Sequence, residues 1–250
     1  MNQSQATINV SKSFASNVVD CIYTATGDGI KEDIARHGLR THNSVPFRIW
    51  DLLNTYVCER LHAPDCMTTT TRRGSWEIVV IYEDETGFLF TLMREKRFGE
   101  LQSGILKRRK MHYFDLLVRH LNPDLLASVG QIMLYPAHFD DEDKLAENVQ
   151  KILSGFSSDI GKIKRHVMIL FDSANYSLTS VRAVMVDPNL NVVTEQDWTK
   201  YIPVQESNIP EKVDNPHAPE NNPSRGLELT AKATARKKAA RKKREEEGIS

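Results

Sequence analysis

The stretch SWEIVVIYEDETGFLFTLMR, residues 75–94, constrains the fold of this chain more than any other. Trp76, Ile78, Val80 and Tyr82 alternate with Glu77, Val79, Ile81 and Glu83, and EDETG supplies turn residues before Phe88, Phe90 and Leu92. A period of two interrupted by a Gly-containing turn predicts a β-hairpin. The second face, Val79, Ile81, Leu89 and Met93, is also apolar, so both sides of the hairpin need cover and a central sheet is expected. RHVMILFDSANYSLTSVRAVMVD, residues 165–187, predicts a second hairpin, turning at 173–176 and closed by Asp187, Pro188 and Asn189.

Helical spacing accounts for most of the rest. FASNVVDCIYTA and DGIKEDIARHG predict two short helices, the second ending at Gly38, which can take the left-handed cap conformation. In NSVPFRIWDLLNTYVCERL, Ser44 is placed to cap and Pro46 suits the first turn. Phe47, Trp50, Leu53 with Asn54, Val57 and Leu61 form a stripe expected to face the core. A further helical region is expected in GILKRRKMHYFDLLVRHLN, ended by Asn122 and Pro123, then a strand in QIMLYP, residues 131–136. The last helix is expected in DDEDKLAENVQKILSGF, whose leading carboxylates favour a helix N-terminus and whose Leu145, Val149 and Leu153 share a face. Helices, a hairpin, helices and a second hairpin together predict an α+β domain with a mainly antiparallel sheet.

From about Gln205 the periodicity stops. VQESNIPEKVDNPHAPENNPSRG carries four Pro and few large apolar residues, too little apolar surface to offset the entropy of ordering. The reading is a flexible leader at 1–12, one α+β domain at 13–204, a disordered linker at 205–230 and a basic tail at 231–250. The 250-residue chain, 40% hydrophobic, is long enough for such a core.

Net charge is zero, but unevenly distributed: nine of the 33 Lys/Arg and four of the 33 Asp/Glu lie beyond residue 224, leaving 24 against 29 before it. The tail places Arg236, Lys237, Lys238, Arg241, Lys242, Lys243 and Arg244 among alanines, with no bulky apolar stripe to pack. Against phosphates these side chains would release counterions, giving salt-sensitive and sequence-independent attraction to DNA or RNA. A second basic zone runs through REKRFGELQSGILKRRKMH, residues 94–112, with Lys107, Arg108, Arg109 and Lys110 at its centre and Phe98, His112, Tyr113 and Phe114 nearby. Aromatic rings beside cations suit stacked bases and held phosphates.

Other chemistry has less support. Cys58, His62 and Cys66 have a C-x3-H-x3-C spacing, with Cys21 or a distant histidine as a fourth ligand, but structural zinc usually uses tighter pairs. Buried or loop cysteines account for the pattern equally, and no metal is assigned. Glu95 and Lys96 follow the first hairpin, and adjacent strand residues point to opposite faces, so they cannot share a nuclease site. No nucleophile elbow, phosphate-cradling Gly loop or dinucleotide fingerprint occurs, so no catalytic residue or cofactor is assigned. Three cysteines in an odd set, a polar start and no apolar run of bilayer length predict a reducing, cytoplasmic setting without a membrane span. The expectation is a non-catalytic binding or regulatory protein that contacts nucleic acid through its tail and the 94–110 zone. The alternatives are a metal-dependent nuclease and a protein-interaction module with a solubilising tail.

Overall fold

The structure, a computed structural model, describes residues 6–38, 40–61, 65–73, 76–125, 138–156 and 160–204. Its centre is a six-stranded sheet whose strands lie side by side in chain order. β1 (Cys66–Arg73), β2 (Trp76–Glu83) and β3 (Phe88–Arg94) form an antiparallel meander. β4 (Arg165–Ala174), β5 (Ser177–Val186) and β6 (Val192–Asp197) form a second one. The two meet through a parallel pair, β3 with β4, registered from Phe88 opposite Arg165 to Arg94 opposite Phe171. The fold is α+β, with a mostly antiparallel sheet.

A parallel pair needs a crossover, and helices supply it. α4 (Glu95–Ser103), α5 (Tyr113–Leu121) and α6 (Leu145–Leu153) lie between β3 and β4 in the chain and cover one sheet face. α1 (Lys12–Thr26) and α3 (Val45–Arg60) cover the other, joined by α2 (Asp28–His37). The alternation in β2 divides between the two: Ile78, Val80 and Tyr82 enter the core under α4–α6, while Val79 and Ile81 enter the core under α1 and α3. Both faces of the first hairpin are covered.

Local signals set several element ends. The Ser11 hydroxyl accepts the Phe14 N–H at 3.1 Å and starts α1. Gly38 ends α2 at φ 56°, and Gly87 turns the first hairpin at φ 75°. At the end of α5, the Asn122 side chain donates to the carbonyls of His166 and Val186 and accepts the His166 N–H, tying the helix to β4 and β5.

Some elements depart from the sequence reading. The helix expected from residue 104 starts only at Tyr113, where the His112 N–H donates to Asp115 at 2.7 Å within a capping box. The like charges of 107–110 lie in the preceding turn and coil instead. Glu95 and Lys96, read with strand geometry, instead open the helix α4, and Glu95 is bonded to Arg182 of β5. β1 was not expected: CMTTTTRR has no apolar alternation, yet its β-branched threonines pair with β2 along the whole strand. β6 is likewise added at the far edge.

In α3 the buried stripe is Val45, Ile49, Leu53 and Val57. Phe47 is 59% exposed, Trp50 is half-buried, and Ser44 makes no side-chain cap bond. Ile8, in the expected leader, is buried against the α1 and α3 core. The strand expected at 131–136 lies outside the described residues, as do 205–250. Among the described residues no helix is long and apolar enough to cross a membrane.

Candidate functional site

The two parallel strands end together, β3 at Arg94 and β4 just past Phe171. In sheets with parallel strands, the crevice outside their carboxyl ends is where ligands bind, because the chain departs there into helices and leaves space. A cavity of about 280 Å³ lies on the β2 side of the β3 end, lined by β2 and β3 and by no residue of β4. Its floor is Ile78, Val79, Leu92 and Met93 from β2 and β3. α3 contributes Trp50 and Asn54, the start of β2 contributes Trp76 and Glu77, and the start of α5 brings His112 and Tyr113. Arg94 and Arg97 supply positive charge. A broader groove of about 630 Å³ continues along α3 and β1, sharing Trp50, Asn54, Trp76 and Glu77.

Packing leaves these side chains on the wall. Ile49 and Leu53 take the inward face of α3, so Trp50 lies at its flank, edge-on to Phe171 with ring centres 5.6 Å apart. Trp76, 38% exposed at the β2 start, is met by Phe47 at 5.8 Å. This pair is an exposed aromatic surface supported from two elements. The rings of His112 and Tyr113 lie 4.4 Å apart at the opposite wall.

The charges differ in how they are held. Arg97 pairs with Glu100 at 3.0 Å on the exposed side of α4, and Glu77 pairs with Arg72 at 3.6 Å. Both are surface pairs, weakly held and readily exchanged. Arg94 is half-buried, donates to the Ser173 hydroxyl and lies 4.7 Å from the centre of the Phe171 ring. Burial lowers its pKa, which Asp172 opposes.

A family described as "Family of unknown function (DUF5986)" matches residues 7–248. The chain belongs to this family. No curated protein and no solved structure matches it. The DUF5986 match extends over the α+β domain and on through the basic tail.

In this DUF5986 chain the expected binding residues separate. Lys107, Arg109 and Lys110 are exposed, and His112 and Tyr113, just beyond them in the chain, line the cavity. Arg108 donates to Asp115 through both terminal guanidinium nitrogens, one at 2.8 Å, and lies 5.4 Å from the Phe139 ring. Asp115 is fully buried, so Arg108 acts in the core. Arg236, Lys237, Lys238, Arg241, Lys242, Lys243 and Arg244 lie outside the described residues.

The cysteine cluster has a different character. Cys66 opens β1 and is buried, not in a loop, and burial, reinforced by Glu83, pushes its thiol up to about 12. Cys21 is buried too, donates to the Tyr56 carbonyl at 3.5 Å, and burial pushes it up to about 12. Such thiols resist the deprotonation that metal ligation requires. Cys58 faces the broader groove, and His62 lies outside the described residues. Among the described residues no three His, Cys, Asp or Glu gather as metal ligands would.

Trp50, Asn54 and Trp76 were not singled out from the sequence as site residues. A signal existed for Trp76: RRGSW sets two arginines and an aromatic ring at the turn into an apolar strand. For Trp50 there was none, because its spacing matches a core stripe.

Proposed function

We propose that this chain is a non-catalytic, cytoplasmic binding protein for single-stranded nucleic acid. The cleft at the end of β3 takes unpaired bases, while Lys107, Arg109 and Lys110 attract the backbone. The tail cations Arg236, Lys237, Lys238, Arg241, Lys242, Lys243 and Arg244 add sequence-independent attraction. The observation that carries this reading is the convergence of Trp50, Trp76 and Tyr113 with Arg94 and Arg97 around one cavity. Ring faces accept any base, and cations beside them hold the phosphate backbone; this combination favours strands whose bases are free to unstack over duplex. The adjoining groove of about 630 Å³ offers a strand a path along α3 and β1.

Fluorescence anisotropy tests this with labelled single- and double-stranded DNA and RNA, on the full chain and on a truncation at Gln205, over a salt series with and without magnesium. The expected result is tighter binding to single strands, a steep fall with salt, and partial retention by the truncated chain through the cleft. Absence of binding to any strand at low salt overturns the reading and directs attention to a protein partner on the Phe47–Trp76 surface. Chelator-sensitive cleavage of the label would replace it with nuclease chemistry.

A further inference from the structure

Six arginines among the described residues are of intermediate burial: Arg48, Arg94, Arg108, Arg119, Arg165 and Arg182. Five of them hold a carboxylate, in turn Asp33, Asp115, Glu142, Asp124 and, for Arg182, Glu95. Arg94 has no carboxylate within ion-pair distance among the described residues. Its side chain has the neutral Ser173 hydroxyl and the face of Phe171. A guanidinium stays charged in a protein, so this one bears the cost of desolvation with only Asp172, beyond ion-pair distance, to oppose it. The rest of the fold shows how such a group is normally satisfied, and the exception lies on the wall of the cleft.

The surroundings of Arg94 select the missing partner. Arg97 lines the same cavity, and its exposed pairing with Glu100 can be exchanged. The Ser173 hydroxyl accepts from Arg94 on the side of a neighbouring pocket that Arg94 also lines, and so steadies the guanidinium from behind. α4 begins at the next residue without a side-chain cap, adding its positive end to the same place. Two guanidiniums and a helix start, with the one lining carboxylate, Glu77, already paired to Arg72, offer more donors than a carboxylate can use, and match the three oxygens and double charge of a phosphate monoester. The indole rings of Trp50 and Trp76 stand in the same cavity, whose volume, about 280 Å³, is small for a ligand pocket and admits one nucleotide, not a stacked run.

We infer that Arg94 anchors the phosphate monoester of a single nucleotide whose base lies against Trp50 and Trp76. This deepens the nucleic-acid reading and rests on it for the source of the ligand. A free nucleoside monophosphate and the phosphorylated end of a strand present the same chemistry. A phosphodiester within a strand carries one charge fewer and reaches a half-buried guanidinium less readily than an end does.

Tryptophan fluorescence of the full chain distinguishes these sources. Of the three tryptophans Trp198 is fully buried, so quenching by an added base reports Trp50 and Trp76. The titrants are nucleoside 5′- and 3′-monophosphates, the matching nucleosides, inorganic phosphate, and short oligonucleotides with and without a terminal phosphate. Wild type, Arg94→Gln and Arg94→Lys are compared, with circular dichroism and thermal midpoint confirming that each is folded. The expected result is at least about tenfold tighter binding of a monophosphate than of its nucleoside, the increment of a charge-assisted bidentate contact. Arg94→Gln should reduce this preference to less than about twofold, and Arg94→Lys should retain part of it. Equal binding of nucleotide and nucleoside, or an intact preference in folded Arg94→Gln, overturns the inference. Oligonucleotide binding indifferent to both the terminal phosphate and Arg94 overturns it too, while leaving the nucleic-acid reading in place. Binding of monophosphates with no binding of any oligonucleotide supports the Arg94 site and overturns the nucleic-acid reading. Binding of neither overturns both.

Discussion

Asn122 and His166 are joined through both backbone groups of the histidine: the Asn122 side chain donates to the His166 carbonyl at 2.9 Å and accepts its N–H at 3.0 Å. The same amide nitrogen reaches the Val186 carbonyl at 3.3 Å. All of this happens under α5 with Asn122 fully buried, so one side chain closes the lower end of the β4–β5 pair against the helix that crosses it.

Asn122→Ala should therefore destabilise the domain by about 2–4 kcal/mol, since it leaves buried backbone donors and acceptors without partners. The denaturant midpoint measures this, with a slope unchanged from wild type if the transition stays two-state. A cost below about 1 kcal/mol would show that other groups satisfy His166.

His166 itself predicts a pH dependence. It is fully buried, shares a hydrogen bond of 3.0 Å with the Thr91 hydroxyl and packs beside Phe114, and burial lowers its pKa from 6.5 to about 3. The unfolded chain binds this proton below pH 6.5 and the native one only near 3. Its contribution to stability is therefore complete above about pH 6.5 and is lost as pH falls towards 3, by about 1.4 kcal/mol per unit within that window. Chemical denaturation at several pH values should show this slope, and His166→Gln should flatten it.

The basic run should divide by function. Arg108→Gln leaves the buried Asp115 carboxylate without its guanidinium and should cost about 3 kcal/mol of stability. Arg109→Gln, at an exposed position, should leave the thermal midpoint within about a degree of wild type and weaken strand binding, most visibly at low salt. If both variants shift the midpoint alike, the division is wrong.

The two tryptophans of the cleft should separate in the same manner. Trp76→Ala should lower affinity for single strands by about 1–3 kcal/mol, a lost stacking platform, at little cost in stability because Trp76 is 38% exposed. Trp50→Ala removes the edge contact on Phe171 and should cost about 2 kcal/mol of stability as well as affinity, less than a fully enclosed tryptophan would. Anisotropy and thermal melts on each variant read the two quantities independently.

Much of the architecture was written in local periodicity. Two-sided apolar alternation in β2 and β3 required a covered sheet, and Gly38 and Gly87 marked a helix end and a turn through the one backbone conformation glycine takes freely. These features depend on neighbours a few residues away, which is why they can be read without coordinates. β1 could not be read, because a run of threonines becomes a strand only when β2 is beside it. The start of α5 was misplaced because Ile105 and Met111 are apolar and buried but lie in the turn and coil before the helix, and apolar spacing does not distinguish the two.

Residue patterns alone were enough to expect hairpins and helices around a sheet, and positive charge gathered at 94–110 and in the tail. The folded arrangement was needed to see that β3 and β4 lie parallel and that Trp50 and Trp76 share a cavity. It also decided that Arg108 is neutralised by Asp115 while Arg94 is left with a hydroxyl and a ring. Charge and periodicity are properties of single residues and short spans, whereas the partner a charge finds depends on which distant segments the closed sheet brings beside it.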